Sequence, residues 1–465
     1  MNSDYSKPSR ARAGPRPGRP GSGLRRSGAA SRHGAASGAA APHPSLALAT
    51  ILAVYIAVVI GRPGDLLHLG SLPIAKIIGG LALIVAWSNK DSLSRIRLRD
   101  VPLAKLTLLF MAWSTSTIAF SIWRGRTIAV ITGTVVATIV AVFLIVKAAT
   151  TWRAVRRMLA GTVGAAVALS ATAMRTSFAG RAGFDGNYDP NDFAYVLVGL
   201  LPCVCAFAAT SKGWKRVAFA GAALWAVVSI LLTQSRGGLL GLALDVLLMV
   251  LFLPVSKAGR VSVAPTRREL IVRVLVVTIM SLAIWFRLPS DAQGRLESIT
   301  TADTGYNVTD RQGRVAIWSR NLPLVAKRPW GFGAGTFEAV DLFYGGGSFR
   351  APHNIYLQVA IELGLPGFGL FLGMLVIYFR EVRSLTMSRG DRHPEFAVFA
   401  KALGISQAGL CLSGFFLSEL YANELWLTVA LLCAVIVWVR PRAVTAKADR
   451  SRSARTLVPS DLPGR

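Results

Sequence analysis

Acidic residues are scarce in this chain: 23 Asp and Glu stand against 52 Lys and Arg, a formal net charge of +29. Charged residues of both signs make up only 16% of the 465 residues, where soluble domains carry about 25%. That shortage argues against the roughly three soluble domains that the length alone would allow. Cysteine is nearly absent too. Cys203, Cys205, Cys411 and Cys433 all lie inside apolar runs, which excludes the disulfide framework of a secreted scaffold. Cys203 and Cys205 are two residues apart in a helical stretch, so they face different sides and make a poor metal pair.

Apolar residues are abundant, at 53% with a mean hydropathy of +0.49. Such hydrophobicity and such positive charge must be segregated along the chain, which is the pattern of a polytopic membrane protein with basic tails and loops. The pI of 11.2 taken alone would suggest a nucleic-acid-binding domain, but the hydropathy disfavours it, and no nucleic-acid partner is expected. Residues 1–44 hold eight Lys/Arg and one acid among Pro, Gly, Ser and Ala, too little apolar surface to offset chain entropy. They read as a disordered, basic cytoplasmic tail in contact with anionic membrane lipids. Residues 440–465 have the same character, with seven Lys/Arg.

Between the tails lie twelve apolar runs near helical spanning length, at about 45–61, 72–88, 102–122, 127–147, 155–174, 193–210, 215–233, 238–255, 269–286, 362–380, 397–417 and 420–439. Only helices or closed barrels satisfy their backbone in lipid, and runs of this kind mean helices. The fold expected is therefore all-α, with about 12 transmembrane helices. With a cytoplasmic N-terminus, the short inside loops carry nineteen Lys/Arg and the short outside loops six, alternating correctly at every crossing. Both termini should be cytoplasmic. The division is then 1–44 tail, 45–286 transmembrane helices 1–9, 287–354 a large external loop, 355–439 an amphipathic lead-in with helices 10–12, and 440–465 tail. A loop as long as 287–354 is uncommon unless it is functional.

Four stretches carry chemistry, and on this topology all face outward: Asp189-Pro190-Asn191-Asp192; Ser235-Arg236-Gly237-Gly238; Arg314 to Trp318 ahead of Pro329-Trp330-Gly331-Phe332-Gly333-Ala334-Gly335; and Pro352-His353-Asn354-Ile355-Tyr356-Leu357 leading to Glu362. Arg236 stands where the sequence otherwise avoids Arg. The two glycines after it would let backbone approach a ligand, and a guanidinium forks onto phosphate oxygens. Its ordinary alternative is a snorkelling anchor, and that of Arg314 a solvated charge. His353 is the lone histidine of the long loop, with Asn354 and a helix start placed to orient it, although a lone histidine also serves as a packing residue. The 331–335 glycines do not make a nucleotide loop, because no Lys-Ser/Thr follows them. Asp185, Asp189 and Asp192 fit no known calcium loop, and capping by Asn191 or Asp192 explains them as well. Asp245, inside an apolar run, reads either as a transport carboxylate or as an internal partner of Lys76 or Lys105.

In this order the four stretches resemble the O-antigen ligase and Wzy-type polymerase superfamily, most specifically over 311–367 within a likeness covering about 45–440. The resemblance implies a GT-C-type membrane glycosyltransferase at the outer face of the bacterial inner membrane. It implies an undecaprenyl-pyrophosphate-linked glycan as donor and a hydroxyl of a glycan, lipid A core or protein as acceptor, with no cofactor and no metal. It places Arg236 and Arg314 near the donor pyrophosphate, makes His353 the catalytic histidine, and puts Asp189, Asn191, Asn354 and Tyr356 in the substrate site. Ligase activity leads. A polymerase or a protein O-glycosylation ligase shares the motifs, and a secondary transporter using Asp245 is the non-enzyme alternative.

Overall fold

The computed structural model describes residues 44–63, 73–177, 189–253, 256–257, 260–261, 265–286, 293, 310, 313–387 and 395–456. The N-terminal tail through residue 43, Asp185, nearly all of 287–312 and the last nine residues of the C-terminal tail lie outside the described residues.

In chain order the helices are α1 (Pro44–Gly61), α2 (Ile74–Ser88), α3 (Pro102–Ser116), α4 (Arg124–Ala148), α5 (Trp152–Ser177), α6 (Pro190–Thr210), α7 (Trp214–Leu232), α8 (Arg236–Phe252) and α9 (Arg267–Trp285). They continue as α10 (Arg314–Lys327), α11 (Phe337–Phe343), α12 (Ile355–Glu362), α13 (Gly364–Met387), α14 (Glu395–Ser413) and α15 (Asn423–Thr456). A two-residue antiparallel ladder, Ser256–Lys257 with Arg260–Val261, is the only sheet among the described residues.

Each of the twelve apolar runs contains a helix, and the chain is a polytopic integral membrane protein. Six helices (α4, α5, α6, α7, α13 and α14) are long and apolar enough to cross a membrane, and three more apolar helices are shorter. The runs at 102–122, 238–255 and 269–286 fall short of that criterion for local reasons. Helix α3 stops after 15 residues and passes into a 3-10 turn at Thr117–Ala119. Helix α8 has 17 residues and carries Arg236 and Asp245. Helix α9 carries Arg267, Arg268, Glu269 and Arg273. Helix α15 continues past its apolar run into the basic stretch as far as Thr456.

Small residues set the packing. Helix α5 lies against α1 at Gly161, where an added Cβ would fall 2.5 Å from the Ala53 carbonyl oxygen. In lipid, such close backbone approach is a main source of helix–helix attraction. Helix α6 is buried along most of its length, between α5, α7, α8 and α14. The segment from α10 to α12 has a core of its own, in which Ile317, Leu324, Phe332, Phe337, Val340 and Ile361 pack together. All four cysteines are free thiols. Asp245 is fully buried and pairs with neither Lys76 nor Lys105, whose side chains are exposed. It faces Gly409 of α14 instead, and no hydrogen-bond partner for its oxygens is found among the described residues.

Candidate functional site

Four helices begin around one point. Asp189 caps α6: its Oδ1 accepts from the backbone N–H groups of Asn191 (2.6 Å) and Asp192 (3.0 Å), and Pro190 occupies the first helical position. The cap is thus Asp189, not Asn191 or Asp192 as the sequence suggested, because Pro190 has no N–H to leave unsatisfied and moves the helix start back toward the N-terminus. Ser235 caps α8, its Oγ accepting from Gly238 N–H at 3.2 Å, so Arg236 is the first helical residue. Arg314 is likewise the first residue of α10, after Gly313. Asn354 caps α12 through Oδ1, which accepts from Tyr356 and Leu357 N–H groups at 3.0 Å each. His353 immediately precedes that cap.

The side chains at these four helix starts feel one another. Arg314 faces both Asp189 and Arg236, and His353 faces Arg314, Asp189 and Arg350. Burial lowers the affinity of Arg314 for its proton; Asp189 opposes this and Arg236 adds to it. Burial also holds the His353 imidazole below its ordinary value, helped by the Arg314 and Arg350 charges and opposed by Asp189. At neutral pH His353 is therefore a neutral base beside two guanidiniums. Positive dipole ends at the helix starts add to the same field, which suits an anion.

His353 is fixed through its backbone. It adopts a left-handed conformation (φ +46°), uncommon for a residue with a Cβ. Its N–H donates to Ser418 Oγ at 2.8 Å, and Trp318 Nε1 donates to the Pro352 carbonyl at 2.7 Å. Such local strain clusters at functional sites. Asn354 and Tyr356 meet the site differently. The Asn354 oxygen is engaged as a cap, and the Tyr356 hydroxyl donates to the Cys411 carbonyl at 2.8 Å, anchoring α12 on α14. The glycines after Arg236 admit protein rather than a ligand: a Cβ on Gly238 would collide with Ala194 of α6, and one on Gly237 would press on Phe416.

The 329–335 stretch is a turn, with Gly331, Gly333 and Gly335 all at positive φ. It is held from behind by Glu362, which is fully buried. That carboxyl accepts from Gly335 N–H (2.7 Å), Tyr421 hydroxyl (2.6 Å), Gln358 Nε2 (3.2 Å) and Phe337 N–H (3.4 Å). Burial pushes Glu362 up to about 7, against those hydrogen bonds.

Three participants escaped the sequence reading. Glu419 hydrogen-bonds to Asp192, and burial together with the Asp192 charge holds its carboxyl well above the usual range. Arg62, at the end of α1, faces Asp192, and Arg350 faces His353. Glu419 sits in the connection between α14 and α15, and Arg350 lies three residues before His353, the one sequence signal that points to it. Among the described residues no group of three or more His, Cys, Asp or Glu side chains is arranged to hold a metal ion.

Residues 221–372 match the sequence model of the family described as O-antigen ligase. The matched segment contains Arg236, Arg314, His353, Asn354, Tyr356 and Glu362; Asp189 and Asn191 lie before it. The match supports the resemblance to the O-antigen ligase and Wzy-type superfamily. No curated protein matches the chain.

Proposed function

We propose that this protein transfers a glycan from undecaprenyl pyrophosphate to an acceptor hydroxyl at the outer face of the bacterial inner membrane, as an O-antigen ligase of the GT-C type with about twelve spans. The observation that carries the reading is the meeting of Arg236, Arg314, Asp189 and His353 at four helix starts, on residues of which three lie in the family match.

In the reaction the acceptor oxygen attacks the anomeric carbon while the carbon–oxygen bond to pyrophosphate breaks, its electron pair leaving with the phosphate. Arg236 and Arg314 take up the charge that develops on the leaving group. In a low-dielectric site, prearranged donors of this kind make the largest contribution to such catalysis. His353, neutral at physiological pH, accepts the acceptor hydroxyl's proton, a role that contributes typically ~10²–10⁴-fold. Single displacement inverts the anomeric centre. The activated donor supplies the driving force, so the reaction needs no cofactor and no metal. Asn354 and Tyr356 serve by fixing α12 behind His353, and Asp189 by balancing the two arginines. The polyprenyl chain lies in the bilayer beside the helices.

The glycan profile of a deletion strain tests the reading. Loss of glycan-capped lipopolysaccharide is the expected result. Loss of long polymer or of glycoprotein would instead name the protein a polymerase or a protein ligase. An unchanged envelope would overturn the proposal.

A further inference from the structure

Phe349 is held in a conformation that folding alone does not explain. Its φ of +55° lies in the left-handed region, which costs a residue with a Cβ roughly 1–2 kcal/mol. Glycine normally takes such positions, and the three residues Gly345, Gly346 and Gly347 stand just before it. Burial does not offset the strain, because Phe349 is 49% exposed. Its ring faces that of Trp123, itself 46% exposed, with centroids 6.4 Å apart and planes inclined at 55°.

Polar contacts hold the segments that carry both rings, around the buried Asp341 on the Phe349 side. Asp341 is fully buried and accepts the Arg320 fork (Nε 2.7 Å, Nη2 2.8 Å) and Asn321 Nδ2 (2.6 Å). Its backbone carbonyl accepts from Gly347 N–H at 2.8 Å, and its Oδ2 from Ser348 N–H at 3.4 Å. A Cβ on Gly347 would collide with this carboxylate, so the glycine lets the chain close over it. Trp123 N–H donates to Ser121 Oγ at 3.1 Å, and Ile122 N–H to the Phe332 carbonyl at 3.0 Å, which ties the start of α4 to the 329–335 turn. The residue after Phe349 is Arg350, whose charge acts on His353.

We propose that Trp123 and Phe349 form a carbohydrate-stacking subsite beside His353, taking the apolar face of a pyranose ring in the glycan being transferred or extended. The proposal rests on the glycosyl-transfer reading. An aromatic anchor at the bilayer interface works in any orientation and needs no strained backbone. A Phe349 ring set by the Arg320–Asp341 fork beneath its loop, four residues before the base and paired with Trp123, serves recognition of a shaped ligand. The hydroxyl-bearing edges of a sugar find Arg350 at the same place.

The test uses the full-length protein in detergent and the lipid-free oligosaccharide released by mild acid from the cell's own polyprenyl-linked glycan. Phe349→Gly removes the ring and relieves the backbone, whereas Phe349→Leu keeps apolar bulk and strain but has no flat face. Both variants and Trp123→Ala are expected to bind the oligosaccharide about fivefold more weakly than wild type. The Michaelis constant for the glycan substrate should rise while turnover changes little, and its rise for donor or for acceptor tells which glycan is held. Phe349→Gly should also melt no lower than wild type. Wild-type binding in Phe349→Gly and Trp123→Ala, or a defect confined to insertion into liposomes, would overturn the subsite. So would wild-type protein that binds no oligosaccharide. If wild type binds the oligosaccharide through these rings yet transfers nothing, the transferase reading falls and the subsite stands.

Discussion

Replacing Glu362 separates its role as a buried tie from any role in transfer. Its two short hydrogen bonds, from Tyr421 (2.6 Å) and Gly335 (2.7 Å), join the loop after α14 to the 329–335 turn, with α12 supplying the carboxyl. Glu362→Ala leaves those donors without their acceptor, at about 1–3 kcal/mol for each buried group, and opens a cavity besides. A loss of about 3–5 kcal/mol relative to wild type is expected at pH 5, and it should shrink as pH rises through 7, because only the wild type titrates there. Glu362→Gln keeps the volume and one accepting oxygen, and it removes the titration. The wild-type carboxyl is raised from the ordinary value near 4.5 to about 7, so its contribution is fully present below pH 4.5 and is lost as pH rises through 7. Over that interval the wild type loses about 3 kcal/mol. Glu362→Gln should show no such slope, fall slightly below wild type at pH 5 and equal or exceed it at pH 8. Thermal midpoints of detergent-purified protein at pH 5, 6, 7 and 8 check this. Parallel curves for wild type and Glu362→Gln, or a wild-type midpoint for Glu362→Ala at pH 5, would refute the reasoning.

Three further outcomes are expected. Transfer by wild type should fall on the acid side with a limb below the ordinary imidazole range, because burial, Arg314 and Arg350 depress His353, and Asp189→Asn should move that limb to still lower pH, since Asp189 is the group that holds the proton on. A pH–rate profile of both proteins measures it, and an unmoved limb would place Asp189 outside the site's field. Transfer with purified protein and lipid-linked glycan should survive excess EDTA; loss restored by magnesium would bring Asp189 and Asp192 in as ligands. In a Cys-free background, Ser298→Cys should react with impermeant maleimide in intact cells and Ser92→Cys should not, the reverse result inverting the proposed topology.

Much of the architecture was legible because lipid leaves the chain few choices: apolar runs became helices, and only their ends shifted. The shifts follow local chemistry. Pro190 pulled a helix start back to Asp189, and Arg236 became the opening residue of α8 once Ser235 capped it. That Asp189, Arg236, Arg314 and His353 belong to stretches that come together was legible as well, but not the local bonding of their neighbours. Asn354 and the glycines after Arg236 looked like ligand contacts because cap and packing residues share the types used for binding. The Asp192–Glu419 pair and the strain at Phe349 and His353 were not legible. They arise from loops far apart in sequence and from backbone angles that no spacing encodes.

The central claim, that two guanidiniums hold the leaving pyrophosphate while His353 takes the acceptor's proton, is tested most directly by measuring donor binding and transfer together. The proteins are Arg236→Lys, Arg314→Lys and His353→Ala, each purified with a wild-type thermal midpoint. Lys keeps the charge but not the fork, so both Arg→Lys variants should transfer poorly, with turnover falling more than donor affinity. His353→Ala should bind donor as wild type does and transfer almost nothing. Near-normal transfer in both His353→Ala and Arg236→Lys would contradict the account.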